Sequence, residues 1–270
     1  MGWLFQKGER EGLPMSVTVG VSNLATVFLF PIYLRPDWSL AWSWLDALAI
    51  ANGLLFFFGQ WFSVQAVKSG DLIVHSSALG IKLLLVASLS IALGLEQGSL
   101  MLVAAVALGA LAIFLLAGGD VKGWRQHRKT LGWTLVGTVF YGVGDVFTSW
   151  KAAELDMARW LILMMAGSGS CAIVALWPQR RLLRVAVSNE RLRWVLVGLG
   201  LLMSSQAILI NSAFALFQKP TVTNIVFSIR GLLAVPFLML IRRQWKGVVR
   251  GKTLTGAFLM LAALALAAFS

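Results

Sequence analysis

Charge is scarce in this sequence. Asp, Glu, Lys and Arg make up 13% of its 270 residues and hydrophobic residues make up 59%, whereas a soluble chain carries about 25% charged and ~45–50% apolar residues. The composition therefore predicts an integral membrane protein with little mass outside the lipid. The net charge of +12 does not indicate a nucleic acid partner, because the basic residues lie in short loops between apolar runs, as the positive-inside rule expects.

Cysteine and histidine are almost absent as well. The one cysteine, Cys171, excludes an intrachain disulfide and a cysteine-rich metal site. The two histidines, His75 and His127, do not have helical metal-ligand spacing, and the sequence has no nucleophile elbow, dinucleotide loop or Walker loop. We therefore expect no enzyme, no cofactor and no metal. Residues 1–14 are short and polar, which predicts no cleavable signal peptide.

Long apolar runs are what the sequence does contain. A membrane-spanning helix needs about 20 apolar residues, and helices are the expected form because lipid offers no partner for unpaired backbone groups. We predict an all-α integral membrane protein with nine transmembrane helices. The predicted spans are 15–34, 45–67, 71–93, 99–118, 132–150, 158–177, 194–216, 221–241 and 253–269. The longest connection, 178–193, predicts a short amphipathic surface helix.

The loop charges predict the orientation. Of the 23 Lys and Arg residues, 17 fall in loops on the side of the N-terminus and four, including Arg159, on the other side; Lys82 and Arg230 lie within spans. This bias places the N-terminal side in the cytoplasm and, with nine spans, the C-terminus outside. We expect a multi-pass protein of the bacterial cytoplasmic membrane.

A shift of 149 residues relates the two parts of the sequence. Ser63 then aligns with Ser212, Leu83–Leu84 with Leu232–Leu233, and Gly98 with Gly247. Spans one to four correspond to spans six to nine, an odd offset that inverts one set relative to the other, as in many secondary transporters. The predicted domains are a first repeat over 1–119, a basic cytoplasmic linker over 120–131 and a second repeat over 132–270.

Several stretches carry a family resemblance. "WFSVQAVKSGD", "LGLEQGSLMLVAAVALGALAIFLLAGG" with Glu96 in its loop, and "NSAFALFQKPTVTNIVFSIRGLLAVPF" are similar to parts of the EamA-type repeat of the drug/metabolite transporter superfamily. The resemblance implies two repeats of five helices with both termini in the cytoplasm. This sequence departs from that pattern: it lacks the first helix, leaving an inverted repeat of about four and five, and its charges favour an external C-terminus.

Two cations lie deep within predicted spans. Lys82 is the twelfth of 23 residues in span three, and Arg230 is the tenth of 21 in span eight. Charges at such depth almost always face a cavity or a partner, so the pair either binds an anionic substrate group or is neutralised by protein. Asp145, the only carboxylate well inside a span, is a candidate counterion or proton-coupling group. In sugar-phosphate and nucleotide-sugar members of the family, basic residues on the two corresponding spans contact substrate phosphates.

Uncharged polar side chains concentrate on spans two, three, seven and eight, which suggests a cavity. Gln60, Asn211 and Asn224 are the predicted substrate-orienting residues. The alternative is that each only holds helices together, at about 0.6 kcal/mol per hydrogen bond.

These patterns lead to one functional hypothesis and two alternatives. We expect a secondary transporter that moves a small organic metabolite, anionic if Lys82 and Arg230 bind it, by alternating access. One alternative is an exporter of neutral amino acids or amphipathic compounds, and another is a non-transporting membrane subunit or scaffold. The expected partners are a small-molecule substrate and the lipid bilayer, with no nucleic acid; a homodimer is compatible with the sequence.

Overall fold

The computed structural model describes residues 12–39, 41–69, 72–117, 121–229 and 251–270, and no strand occurs among them. One short 3₁₀ turn, Trp177–Gln179, joins two of the α-helices. In chain order the helices are α1 Met15–Tyr33, α2 Trp44–Ser69, α3 Leu72–Ala78, α4 Ile81–Ala92, α5 Leu100–Leu116, α6 Val121–Gln126, α7 Arg128–Leu155, α8 Met157–Leu176, α9 Arg180–Ser188, α10 Glu190–Phe217, α11 Pro220–Ile229 and α12 Gly251–Ala268.

The helices are those of an integral membrane protein. Within the described ranges, five helical segments are long and apolar enough to cross a membrane. They are Met15–Tyr33, Trp44–Ser69, Val74–Ala92, Met157–Ser188 and Glu190–Phe217. The all-α membrane fold predicted from the sequence is therefore confirmed.

The other predicted spans coincide with helices that are shorter or that carry charged residues at their ends. Shorter apolar helices occupy Leu100–Leu116, Pro220–Ile229 and Leu254–Ala268, and α7 covers the predicted span 132–150 with charged residues at both ends. Residues 230–241 of the predicted eighth span lie outside the described residues. The count of nine spans stays a prediction.

The amphipathic helix predicted within 178–193 is confirmed as α9. Its Ala186 is buried, and Leu183 packs with it against Leu176, Leu192 and Leu196. The arginines of α9 remain on its exposed faces, so this helix lies with one face on the protein, as expected at a membrane surface.

Packing divides the chain into two compact units. Unit 1 comprises Met1–Val64 and Phe147–Leu216, and unit 2 comprises Gln65–Val146 and Phe217–Ser270. Each unit draws segments from both predicted repeats. The predicted linker 120–131 contains α6 and the first turn of α7.

Unit 1 is built on close contacts between α1, α2 and α8. Its core contains Phe30, Trp160 and Met164. Where α2 crosses α8, a Cβ atom on Gly53 would collide with the carbonyl oxygen of Met164, and one on Gly167 with that of Ile50. Only glycine allows these two backbones to touch, a packing that membrane helices use in the absence of a hydrophobic driving force between them.

Unit 2 is organised around the contact between α5 and α12. Leu83, Val106, Ile225 and Ala263 form its core. A Cβ atom on Gly256 of α12 would lie 3.2 Å from the carbonyl oxygen of Ala112, so the two helices also approach closely.

The segment Val74–Ala92 bends between α3 and α4. At the bend, the N–H of Lys82 donates to the Leu79 carbonyl at 3.0 Å and that of Leu83 to Gly80 at 3.1 Å, a tighter 3₁₀ pattern that often marks a functional position. A Cβ atom on Gly80 would lie 2.8 Å from the Ala110 carbonyl oxygen. The backbone of α5 therefore packs directly against the bend.

Candidate functional site

The bend in unit 2 places Lys82 beside a carboxylate. Lys82 lies in the first turn of α4, and its Nζ is 2.5 Å from Oδ2 of Asp145 on α7; the two side chains are 18% and 8% exposed. A cation in the first turn opposes the helix dipole, so the carboxylate offsets both the charge and its unfavourable position. Asp145 therefore neutralises Lys82 inside the protein.

A third helix joins this pair through an amide. Asn224 on α11 donates from Nδ2 to the same Asp145 oxygen at 2.9 Å and to the Pro220 carbonyl at 2.9 Å. The ring of Tyr141, one turn before Asp145, has its centroid 5.5 Å from Lys82 Nζ, within range of a cation–π attraction. Asp145 thus ties α4, α7 and α11 together.

Asp145 ends a line of polar residues on α7, which we name the α7 polar stripe. Its members are Thr130, Thr134, Thr138, Tyr141 and Asp145, whose spacing of three or four residues places them on one helix face. They extend over about 22 Å of helix at 1.5 Å per residue. A polar line of this length crosses much of the ~30 Å hydrocarbon core.

The α7 polar stripe contacts both the segment that carries Lys82 and the end of α2. His75 Nδ1 lies 2.9 Å from Thr134 Oγ1, and Ser69 Oγ lies 3.4 Å from Thr130 Oγ1. Thr138 is 2% exposed, and its hydroxyl has no partner in the part of unit 2 that is described.

Of the predicted site residues, Lys82, Asp145 and Asn224 are therefore brought into one bonded group. Arg230 lies outside the described residues, so its part in the site stays a prediction.

Gln60 and Asn211 belong to unit 1, where Gln60 bonds a neighbouring helix and Asn211 bonds its own. Gln60 Oε1 accepts from Asn23 Nδ2 at 2.6 Å, and Asn23 Oδ1 accepts from Ser168 at 2.7 Å. Asn211 donates to the Ala207 carbonyl of its own helix at 2.8 Å. Sequence reasoning did not select Asn23; an asparagine in the middle of a predicted span was the available signal.

Sequence reasoning also missed a buried ion pair in unit 1. Arg159 Nε donates to Asp46 Oδ1 at 2.7 Å, with side chains 1% and 0% exposed. The guanidinium carbon lies 5.7 Å from the ring centroids of both Trp38 and Trp42. The placement of Arg159 among the loop charges is thus corrected, because this residue lies within α8 and its charge is balanced inside the protein.

Glu96, the acidic loop residue of the family resemblance, caps a helix. Its two carboxylate oxygens accept the N–H groups of Thr221 and Val222 at 3.1 and 3.3 Å. These donors belong to the first turn of α11, where a negative charge is stabilising. A cavity of about 350 Å³ beside Glu96 is lined also by Lys219 and Ser270.

A metal centre is not formed by the described residues, which contain no group of three His, Cys, Asp or Glu side chains arranged to hold an ion. The chemically active groups brought together in unit 2 are therefore a partly buried cation, a carboxylate and an amide.

Comparisons with known proteins relate this chain to others by fold. No protein-family model matches the sequence, and no curated protein matches it. A solved structure described only as "Crystal structure of protein" is similar with a TM-score of 0.71 and 13% sequence identity, over 96% of this chain and 88% of that chain. At this identity the similarity concerns the fold alone, and the chain shares its fold with that protein.

Proposed function

We propose that this protein is a secondary transporter for a small organic anion, with the pair of Lys82 and Asp145 as its coupling element. The observation that carries the proposal is the largely shielded pair itself, with 2.5 Å between the charged atoms at a helix bend. Ionisable residues within membrane helices are costly and typically belong to substrate or proton pathways. The α7 polar stripe supports the proposal because it extends from Asp145 to Thr134, which contacts His75 of α3.

The geometry supports a simple exchange of partners. While Asp145 is ionised it occupies Lys82, and a substrate anion would have to displace it. A proton on Asp145 would remove that competitor and leave Lys82 available to the anion. The Asn224 amide could then donate a hydrogen bond either to Asp145 or to the anion. Proton and anion would thus bind with positive coupling, which is the thermodynamic requirement for moving them together.

Packing within each unit supports the inverted repeat. In unit 1, α1 packs on α8, which correspond to predicted spans one and six. In unit 2, α5 packs on α12, which correspond to predicted spans four and nine. Helices related by a two-fold axis meet in this way, and inverted repeats place the transport site at mid-membrane between them.

These features, together with the sequence resemblance, are the basis for proposing membership of the drug/metabolite transporter superfamily and location in the bacterial cytoplasmic membrane. The alternative of a neutral or zwitterionic substrate is favoured by one observation, the neutralisation of Lys82 by Asp145. A zwitterion could separate the pair by contacting both members.

Uptake into proteoliposomes tests the proposal. With a panel of anionic and zwitterionic metabolites, we expect wild-type uptake to be stimulated when the outside is acidic. Lys82→Gln should abolish uptake of the anion, whereas Asp145→Asn should retain substrate exchange and lose the stimulation by acid. Lys151→Gln is the matched control, since Lys151 pairs with Glu154 in the last turns of α7 and makes no contact with Asp145.

Two results would count against the proposal. One is the absence of any uptake or substrate-dependent thermal shift across the panel, which would favour the scaffold alternative. The other is equal activity of the Lys82→Gln and Lys151→Gln proteins, both with wild-type melting temperatures.

A further inference from the structure

An apolar groove runs along the surface of unit 1, on α1, α9 and α10. It encloses about 410 Å³, and its lining includes Val21, Phe28, Leu183, Val197 and Leu201. Arg193, at the start of α10, is the one charged residue in that lining. The groove therefore combines a hydrocarbon wall with a single cationic end.

The groove is open toward the lipid. Phe28 and Leu201 are 71% and 48% exposed, and both belong to helices long and apolar enough to cross the membrane. From Arg193 to Leu201 the helix rises about 12 Å, close to the ~15 Å that one leaflet contributes to the hydrocarbon core. The groove thus matches the depth of a single leaflet.

The cationic end lies where phospholipid headgroups would be. The segment 178–193 contains one acidic residue, Glu190, and five arginines: Arg180, Arg181, Arg184, Arg191 and Arg193. Arg193 is exposed, and no carboxylate of the described residues lies within salt-bridge distance of it. An arginine in this setting is suited to bind a phosphate through two parallel N–H donors.

We propose that this groove is a binding site for an anionic phospholipid, with an acyl chain along α1 and α10 and the phosphate bound by Arg193. The amphipathic α9 forms the third wall and adds positive potential around the headgroup. Basic pockets beside membrane helices select anionic lipids in this manner. The proposal concerns a part of the protein separate from the residues proposed for transport, and it holds whether or not the protein transports.

Competition between lipids in nanodiscs tests the proposal. Phosphatidylglycerol and phosphatidylcholine with the same acyl chains are compared by native mass spectrometry of lipid released with the protein. We expect Arg193→Gln to lower the preference for phosphatidylglycerol about fivefold, the effect of one basic residue near an anionic surface. Arg191→Gln, an exposed arginine two residues away that does not line the groove, should change it less.

A second variant distinguishes the contribution of the groove to lipid binding from that of the positive charge of segment 178–193. Val197→Trp fills the groove and should release the bound phospholipid of either headgroup, while Val174→Trp, on a 73% exposed position of α8, should not. Thermal melting in phosphatidylcholine verifies that all four proteins fold. Equal effects of the two arginine variants, or retention of the lipid by Val197→Trp, would overturn the proposal.

Discussion

At the scale of single residues, two ion pairs join helices in the part of the chain that the structure describes, and their settings differ. Lys82 and Asp145 share their site with a third polar side chain and a polar helix face. Arg159 and Asp46 are fully buried, and the neighbouring tryptophans and Ser43 surround them. The first pair adjoins Asn224 and Tyr141, and the second adjoins Ser43 and two tryptophans. In the proposed mechanism the first pair exchanges partners, and we expect the second to anchor helices.

Replacing one member of the anchoring pair should destabilise the protein. Arg159→Met leaves the Asp46 carboxylate buried without its cation, which typically costs about 3–5 kcal/mol, whereas the double variant Asp46→Leu with Arg159→Met removes both charges and should recover most of that loss. Thermal melting in detergent measures both. If the double variant melts no higher than the single one, the pair contributes through specific geometry rather than through charge balance.

The sequence indicated how deep in the membrane a charged residue lies, but it said less about which way the side chain faces. It predicted that Lys82 and Asp145 both lie within spans, and that one could neutralise the other. It did not show that Asp46 and Arg159 meet, because each stands at the end of a predicted span, where a charge is expected to reach water. Whether such a residue faces solvent or a neighbouring helix depends on rotation about the helix axis, which long apolar runs do not specify.

At the scale of helices, the position of each helix in the sequence could be predicted from hydropathy, whereas local bends depend on packing against other helices. The long spans and the amphipathic α9 were predicted because apolar length and periodicity define them. The bend at Gly80 was not, since its cause is the approach of Ala110 from α5. Glycines in membrane helices are frequent, and only the tertiary contact distinguishes those at a crossing from those facing lipid.

The α2–α8 crossing gives a prediction at this scale. Gly53→Ala or Gly167→Ala must push two backbones apart and should lower stability by about 1–3 kcal/mol, as overpacking does elsewhere. Gly132→Ala on α7 meets no atom within 4 Å and should raise stability by up to about 1 kcal/mol through helix propensity. Melting temperatures of the three variants measure the contrast, and similar shifts for all three would contradict the close crossing.

At the scale of the whole molecule, packing groups segments that are distant in the chain. Each compact unit combines part of the first predicted repeat with part of the second. The sequence could suggest the repeat through its 149-residue shift, but this grouping depends on contacts between segments more than 100 residues apart, such as Asn23 with Ser168. The hydrophobic periodicity of one helix does not predict which distant segment packs against it.

The charge bias predicts which side of the membrane each loop occupies. In a Cys171→Ala background, Ser39→Cys should react with a membrane-impermeant maleimide in intact cells, and Ser188→Cys only after the membrane is opened. Both positions are exposed, so reactivity reports the side of the membrane rather than burial. The opposite pattern would invert the proposed orientation.

The contact of α2 with α8 has a further consequence, for the divergence of related chains. Related chains can replace most side chains, while the crossing persists only where residues equivalent to Gly53 and Gly167 remain without a side chain. We expect descendants of a common ancestor to retain these two glycines after their polar and aromatic motifs have become unrecognisable. Their 114-residue separation is then a signature by which distant relatives of this protein can be sought.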